Sequence, residues 1–243
     1  MDKKEIQHII KLKQKQINFT EDDHVYRFAA EEFISVTTLI SKYANEFDPD
    51  GKILKACAYK ENISEYALKN RWNEKRDKAC SYGTAVHELL EKNMDYGRLL
   101  NRDETEKYPH AMNGIMFTEK LLESCELLCT EPIVYSDCYK VAGQIDFIIY
   151  NSDGTVSLGD WKTNEYIVAN DKYNNKLKGP IKHLVDNSYN KYCLQLSMYK
   201  YLLEQWGIKV RDLFLVHLSK TGSRVIECDY LEKEVKEMLE ERI

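Results

Sequence analysis

The sequence predicts a mixed α/β fold in which a central mixed sheet is flanked by helices. β-Branched and aromatic residues at 141–150 and an alternating pattern from residue 155 indicate strands at 141–150 and 155–163, joined by the turn residues 151–154. Residues 112–129 and 190–206 have the apolar spacing of amphipathic helices. A further strand-forming segment at 131–138 lies between them. From 112 to 219 the predicted order is therefore helix, three strands, helix, strand.

The first hundred residues are predicted to form a largely helical extension. Residues 2–15 form a charged helix, 24–29 and 32–36 form short strands, and a helix then runs to residue 43. Residues 51–96 are helical and basic, and Gly83 interrupts the helix. Ser35, Thr37 and Thr38 precede or begin the helix that ends at residue 43. Their hydroxyls either cap this helix or, together with its N-terminal N–H groups, bind a phosphate.

The C-terminal half supplies the remaining elements. Residues 101–109 are predicted to be a loop, and residues 164–188 form a polar, irregular segment whose length is typical of a functional or disordered loop. Gly207 ends the helix at 190–206. Strands at 212–219 and 224–228 and an acidic helix at 231–242 follow. We expect one domain over 1–243, comprising an N-terminal part (1–105), the αβββαβ core (106–229) and a C-terminal helix (230–243).

Length, net charge and cysteine content limit the classes of protein to which the chain can belong. A length of 243 residues allows a sizeable core, and a formal net charge of −5 argues against an overall basic surface for binding duplex DNA. The net charge does not exclude a local basic groove, because residues 52–78 hold eight basic residues against four acidic ones. Seven cysteines without a C-x-x-C pair fit a reducing compartment. With neither a signal-peptide pattern nor a long apolar run, we expect a cytoplasmic protein without membrane contact.

The hairpin at 141–163 carries the most informative side chains. With its turn centred near Asp153, Asp146 and Asp160 face each other across the ladder, with Cβ atoms about 4.5–5.5 Å apart. Alternation places Asp160 and Lys162 on one face and Trp161 on the other. Two carboxylates this close must be solvated, protonated or bridged by a cation. Mg²⁺ with oxygen ligands meets that need best, and a simple salt bridge at a strand end is the alternative.

Two helices add candidate side chains. His87 and Glu91 are one helical turn apart beside an apolar stripe, and Gly83, one turn before His87, leaves room for a close neighbour. A histidine in this position is more often structural than a ligand. Gln195 and Tyr199 are one turn apart on the helix at 190–206.

Taken in order, these residues form a recognisable set of motifs. Gly83-x-x-x-His87, Gly143-x-x-Asp146, Asp160-Trp161-Lys162-Thr163 and Gln195-x-x-x-Tyr199 resemble the RecB-like branch of the PD-(D/E)XK nuclease superfamily. The motifs cover residues 83–199, and the αβββαβ order is the one that this superfamily implies. His24-x-Tyr26 and residues 33–40 look like the N-terminal part of the mitochondrial genome maintenance exonuclease family and related phage exonucleases.

The resemblance implies roles for individual residues. His87, Asp146, Asp160 and the carbonyl of Trp161 would ligate Mg²⁺ or Mn²⁺, since a histidine ligand makes manganese as suitable as magnesium. Lys162 would orient or polarise the attacking water. Gln195 and Tyr199 would line the site and contact the DNA backbone. Two further acidic residues are secondary candidates: Glu131, which we do not expect to be a ligand, and Glu91, which would lie behind the ligands. Relatives with an iron–sulfur cluster have a late group of cysteines that this chain lacks, so no cluster is expected.

The function implied is that of a metal-dependent DNA exonuclease acting on single-stranded DNA or strand ends. Seventeen tyrosines suit base stacking, although most of them would serve equally well in ordinary packing. Three alternatives stay open at this point: an endonuclease or recombination nuclease of the same fold, a non-catalytic DNA-binding module, and a hydrolase of small phosphoesters.

Overall fold

The computed structural model describes residues 1–20, 25–29, 31–45, 51–168 and 174–242. His24 of the predicted N-terminal motif and residues 169–173 of the predicted long loop lie outside these ranges. The chain has a mixed α/β fold with two five-stranded mixed sheets flanked by helices, which confirms the predicted fold class. The elements are α1 Lys3–Gln14, β1 Ile17–Thr20, β2 Val25–Phe28, β3 Glu31–Ser35, α2 Val36–Tyr43, α3 Lys52–Glu61, α4 Glu65–Tyr96, α5 Arg102–Lys107, α6 Pro109–Leu121, β4 Glu126–Thr130, β5 Ile133–Ser136, β6 Val141–Gln144, β7 Phe147–Tyr150, β8 Val156–Lys162, a 3₁₀ turn Gly179–Ile181, α7 Ser188–Gln205, β9 Val210–Ser219, β10 Gly222–Glu227 and α8 Glu232–Glu240.

The second sheet contains the predicted order of elements. Its strands run β10-β9-β8-β7-β4, with β8 and β9 parallel and the other neighbours antiparallel. Helix α6 precedes β4, and α7 connects the parallel pair, so this sheet contains helix, three strands, helix, strand. The first sheet runs β1-β2-β3-β6-β5, with only β3 and β6 parallel.

Several predicted boundaries were wrong. The helix at 112–129 ends at Leu121, because residues 126–130 pair with β7 as a strand. This strand, and not 131–138, is the first of the three in the second sheet. The loop at 101–109 contains α5, which Asn101 and Glu104 start with a capping box. Gly83 lies within the continuous helix α4, and the basic helical region is divided into α3 and α4 instead. Strand β1 was not predicted.

Helices pack on both faces of the second sheet. Ile148, Leu158 and Leu215 face a core that includes α1, α2, α7 and α8. Phe147 and Trp161, which alternate with those residues, face a second core built from α4 and α6. Strand alternation therefore places Asp160 on the α7 side and Trp161 on the α4 side, and the two side chains lie on opposite faces as predicted.

The predicted strand at 141–150 is broken into β6 and β7, which belong to different sheets. The break coincides with a bend in the neighbouring chain segment. The Glu131 N–H donates to the Asp146 carbonyl at 3.0 Å, and the Ile145 N–H donates to the Pro132 carbonyl at 3.1 Å. Glu131 adopts a left-handed conformation with φ of 47°. The paired strands β5 and β6 of the first sheet thus continue into the paired strands β4 and β7 of the second, with Glu131 and Asp146 paired at the bend.

Helix α3 and the first part of α4, residues 65–82, form a helical arm. The arm has its own small apolar cluster around Leu54, Ala58 and Leu68. Residues 74–81 are exposed, whereas Val86 and Leu90 in the second half of α4 are fully buried against the sheet. In the described ranges, no helix is both long and apolar enough to span a bilayer.

Candidate metal centre

The two aspartates of the hairpin are aligned as the sequence predicted. Strands β7 and β8 pair Phe147 with Gly159, so the same register places Asp146 opposite Asp160. Gly159 is required at this position, since a Cβ atom there would lie 2.0 Å from the ring of the fully buried Phe147. The close packing on the α4 side thereby fixes the backbone from which Asp160 projects to the opposite face.

Asp160 is 1 % exposed and is held by two neighbours. Its Oδ2 lies 2.5 Å from Lys162 Nζ, and its Oδ1 accepts a hydrogen bond from Gln195 Nε2 at 3.1 Å. Gln195 Nε2 also lies 3.2 Å from the Tyr199 hydroxyl. The buried Oδ2 is thus compensated by the Lys162 ammonium group, and the carboxylate remains next to Asp146.

Asp146 joins the strands to α4. Its Oδ2 accepts a hydrogen bond of 2.6 Å from the Trp161 N–H and lies 3.5 Å from His87 Nδ1. Gly83, one turn before His87, faces Thr163 at the end of β8, where a Cβ atom would be 3.4 Å from the threonine Oγ1. Helix α4 therefore passes close to the end of β8 at Gly83, and His87 one turn later reaches Asp146.

The tightest candidate ligand set differs from the predicted one. Ligand atoms of His87, Glu131 and Asp146 all lie within 4.8 Å of one another. Glu131, which was not expected to be a ligand, lies within reach of the same ion because the bend pairs it with Asp146. Two carboxylates and an imidazole fit Mg²⁺ or Mn²⁺. Asp160 is not in this group but faces Asp146 across the ladder, paired with Lys162.

Burial and charge shift the pKa values of the acidic groups. For Asp160, burial opposed by Lys162 raises the pKa to about 6. For Glu131, burial and the charge of Asp146 raise the pKa to about 8. Burial would also raise the pKa of Asp146, but the attraction of His87 outweighs it and the pKa is lowered. Asp146 is therefore ionised, whereas Asp160 and Glu131 keep their protons to a higher pH than ordinary carboxyl groups.

The two basic groups are both held in their charged forms. Burial lowers the pKa of His87, but the charge of Asp146 and a hydrogen bond to it dominate and raise the pKa to about 9. Burial likewise opposes the charge on Lys162, and the attraction of Asp160 and Asp146 raises its pKa. A divalent cation binding here would displace protons from His87 and Glu131.

Two clefts of opposite charge meet at the centre and share Gly83 and His87. The acidic cleft has a volume of about 670 Å³, and its polar lining includes Ser35, Thr37, His87, Glu88, Glu91, Glu131, Asp146 and Tyr199. The basic cleft has a volume of about 1350 Å³, and its charged and aromatic lining includes Lys75, Lys78, Tyr82, His87, Glu106, Lys107, His110, Lys162, Glu165, Tyr166, Tyr192 and Lys220.

The predicted hydroxyl residues have a structural role in addition to their position at the site. Ser35 Oγ caps α2 by accepting from the Thr38 N–H at 3.0 Å and donates to Thr38 Oγ1 at 2.7 Å. Ser35 and Thr37 line the acidic cleft, whereas Thr38 is not part of its lining. The capping interpretation therefore describes Ser35 and Thr38, and Thr37 Oγ1 also lies 3.1 Å from Ser35 Oγ.

The other motif residues support the carboxylates. Tyr199 is 3 % exposed, and its ring packs on Gly143, where a Cβ atom would be 2.5 Å from Tyr199 Cε1. Gln195 and Tyr199 thus hold Asp160 from the α7 side. Trp161 presents its N–H to Asp146. Glu91 lines the acidic cleft, and its charge helps to raise the pKa of Glu131.

Comparisons with known proteins give a distant similarity. No family model and no curated protein sequence matches the chain. A crystal structure of a protein from Eubacterium rectale, named as a candidate exonuclease, matches with a TM-score of 0.41 at 14 % identity over 67 % of this chain. The match spans 64 % of the length of that protein. The structure of SSO0001 matches with a TM-score of 0.28 at 15 % identity, over 66 % of this chain and 85 % of the other.

The pKa shifts predict how the stability of the metal-free protein depends on pH. His87 and Glu131 have higher pKa values in the folded chain than in the unfolded one, so the folded protein binds more protons near neutral pH. The free energy of unfolding that these two groups contribute is fully present below the pKa values that they have in the unfolded chain. It is lost as the pH rises towards the folded-state pKa values, about 8 for Glu131 and about 9 for His87. We expect the midpoint of thermal unfolding in EDTA to fall between pH 7 and pH 8.5.

The control for this prediction is Glu131→Gln, which cannot take up the proton and should flatten the curve. Saturating Mn²⁺ should reverse the slope, because the cation binds the deprotonated groups. A wild-type midpoint that stays constant or rises over this range in EDTA would contradict the predicted shifts.

Proposed function

We propose that the protein is a divalent-metal-dependent deoxyribonuclease of the RecB-like branch of the PD-(D/E)XK superfamily, which hydrolyses DNA from strand ends. The observation that carries the proposal is the convergence of Asp146, Asp160 and Lys162 from the hairpin with His87 from α4 at one point. Gln195 and Tyr199 support this point from α7. The motif order read from the sequence is thus accompanied by spatial proximity of its side chains.

The proposed reaction adds a water oxygen to phosphorus and breaks one P–O ester bond. A bound Mg²⁺ or Mn²⁺ supplies charge neutralisation and lowers the pKa of water. His87, Glu131 and Asp146 would hold the ion, and Asp160 faces the same position across the ladder. Because neighbouring carboxylates keep Lys162 protonated, it acts as a hydrogen-bond donor to the water or to a nonbridging oxygen, and not as a base.

The choice of substrate is tested with two forms of single-stranded DNA, one linear and end-labelled and one covalently closed. With Mg²⁺ or Mn²⁺, we expect the linear strand to be degraded and the circle to stay intact, because an exonuclease requires an end. Asp146→Asn serves as the inactive control. Cleavage of the circle at a comparable rate would make the protein an endonuclease, and failure to cut either strand with either metal would refute the proposed function.

A further inference from the structure

The two clefts beside the metal centre differ sharply in charge. The basic cleft is lined by five lysines against two glutamates. The lining of the acidic cleft contains Glu88, Glu91, Glu131 and Asp146, with His87 as its basic side chain and neither lysine nor arginine. Glu88 and Glu91 lie outside the candidate ligand group and keep the second cleft acidic beside a bound ion, so a chain of phosphates is attracted to the first cleft and repelled by the second. The two clefts therefore present different charges to DNA on the two sides of the metal centre, where the cleaved phosphate would lie.

Four of the five lysines of the basic cleft are available to a ligand, whereas Lys162 is paired with Asp160. Lys75, Lys78, Lys107 and Lys220 are exposed and form no ion pair within the described ranges. Basic residues close to them in sequence are paired: Arg71 with Glu61, Arg76 with Asp77 and Arg102 with Glu106. The last pair also engages one of the two glutamates in the cleft. Free cations are thus concentrated where the cleft leads to the metal centre.

Aromatic side chains are interleaved with these lysines. Tyr166 is 71 % exposed, and Tyr192 lies beside the centre with its ring centroid 4.4 Å from Lys162 Nζ. Tyr82 lines the same cleft from the helical arm. Tyr166 is exposed and Tyr82 and Tyr192 are half-buried. Rings beside cations that bind the backbone suit single-stranded nucleic acid, because unpaired bases stack on the rings.

We propose that the basic cleft is the track for the backbone of single-stranded DNA, which reaches the metal centre from this side alone. The acidic cleft receives only the short end beyond the scissile phosphate. The inference rests on the proposed nuclease function and adds the side from which DNA approaches the metal centre. The helical arm forms one wall through Lys75 and Lys78, and α5, α6 and the segment after β8 form the other.

The test measures binding of fluorescent oligothymidylate by anisotropy in EDTA, where no cleavage occurs. We expect Lys75→Glu/Lys78→Glu to weaken binding by about ten- to hundredfold. If two phosphate contacts are lost, the slope of log Kd against log salt should shrink by about 1.4. Lys220→Glu, on a different element, should weaken binding in the same direction. The matched control is Lys4→Glu/Lys11→Glu, two exposed lysines of α1 outside both clefts, for which we expect less than a twofold change.

The acidic side is tested with Glu88→Lys. We expect less than a threefold change in affinity, because the backbone does not run through that cleft. Tightening by tenfold or more, or unchanged binding by the Lys75→Glu/Lys78→Glu and Lys220→Glu variants, would overturn the proposed track. Since binding is measured without metal, these outcomes are independent of whether the wild-type protein cuts DNA, and absence of cleavage with intact binding would refute the nuclease function alone.

Discussion

Asp146→Asn is expected to reduce metal-dependent DNA cleavage by at least ~10³-fold, which corresponds to about 4 kcal/mol of transition-state stabilisation. Asp146 is the only described residue that faces Asp160 across the ladder and also belongs to the candidate group with His87 and Glu131. Asparagine has the same shape and can still accept the hydrogen bond from the Trp161 N–H, so the fold should be retained. The negative charge that attracts the cation is lost.

The measurement is cleavage of end-labelled single-stranded DNA with Mg²⁺ or Mn²⁺, accompanied by Mn²⁺ binding followed by electron paramagnetic resonance. A matched control is Asp137→Asn, an aspartate whose side chain is 60 % exposed and paired with Lys140. This variant should cleave DNA at the wild-type rate. If Asp146→Asn cuts DNA within tenfold of the wild type, or binds Mn²⁺ equally tightly, Asp146 is not at the metal centre.

The alignment of Asp146 with Asp160 could be predicted because it depends on local rules alone. The turn chemistry near Asp153 sets the centre of the hairpin, and the two-residue period of a strand sets which side chains share a face. Both rules act within a single supersecondary unit. The observed register agrees with the prediction at every pair from 147 to 150.

The proximity of Glu131 to His87 and Asp146 was not predicted, because the position of Glu131 depends on contacts between sheets. Glu131 lies at a bend where the paired strands leave one sheet for the other, with a positive φ that few residues of its type adopt. The acidic residue immediately before Pro132 was a signal, since proline removes a ladder N–H and often marks a break in a strand. The pairing of this break with the one after Ile145 could not be deduced from local pattern.

The boundaries of α5 and α6 show the two kinds of error in predicting secondary structure. The Asn101-x-x-Glu104 capping box was a readable start signal for α5 that the interpretation of the segment as a loop overlooked. By contrast, the apolar spacing that extended the helix past Leu121 is real, but Leu127 and Leu128 are used in a strand because β7 supplies backbone partners. Tertiary pairing outweighs local periodicity there.

The pairing of Lys162 with buried Asp160 leads to the second large effect. Lys162→Met keeps most of the apolar stem and removes the ammonium group, which leaves Asp160 without its compensating charge. Removing one partner of a buried ion pair typically costs about 3–5 kcal/mol. We expect a loss of this size in the free energy of unfolding in EDTA at pH 8. The loss should be smaller at pH 5, because the pKa of Asp160 is already raised and the carboxyl then takes up a proton.

Stability and cleavage should separate in a double variant. Asp160→Asn/Lys162→Met removes both charges, so we expect it to recover most of the unfolding free energy that Lys162→Met alone loses, as measured by urea denaturation. Cleavage should stay at least ~10²-fold below wild type in both variants, since a hydrogen-bond donor to the developing charge is missing. If the double variant regains cleavage together with stability, Lys162 serves only to neutralise Asp160. If Lys162→Met is as stable as wild type at pH 8, the ion pair observed between Lys162 Nζ and Asp160 Oδ2 does not form in solution.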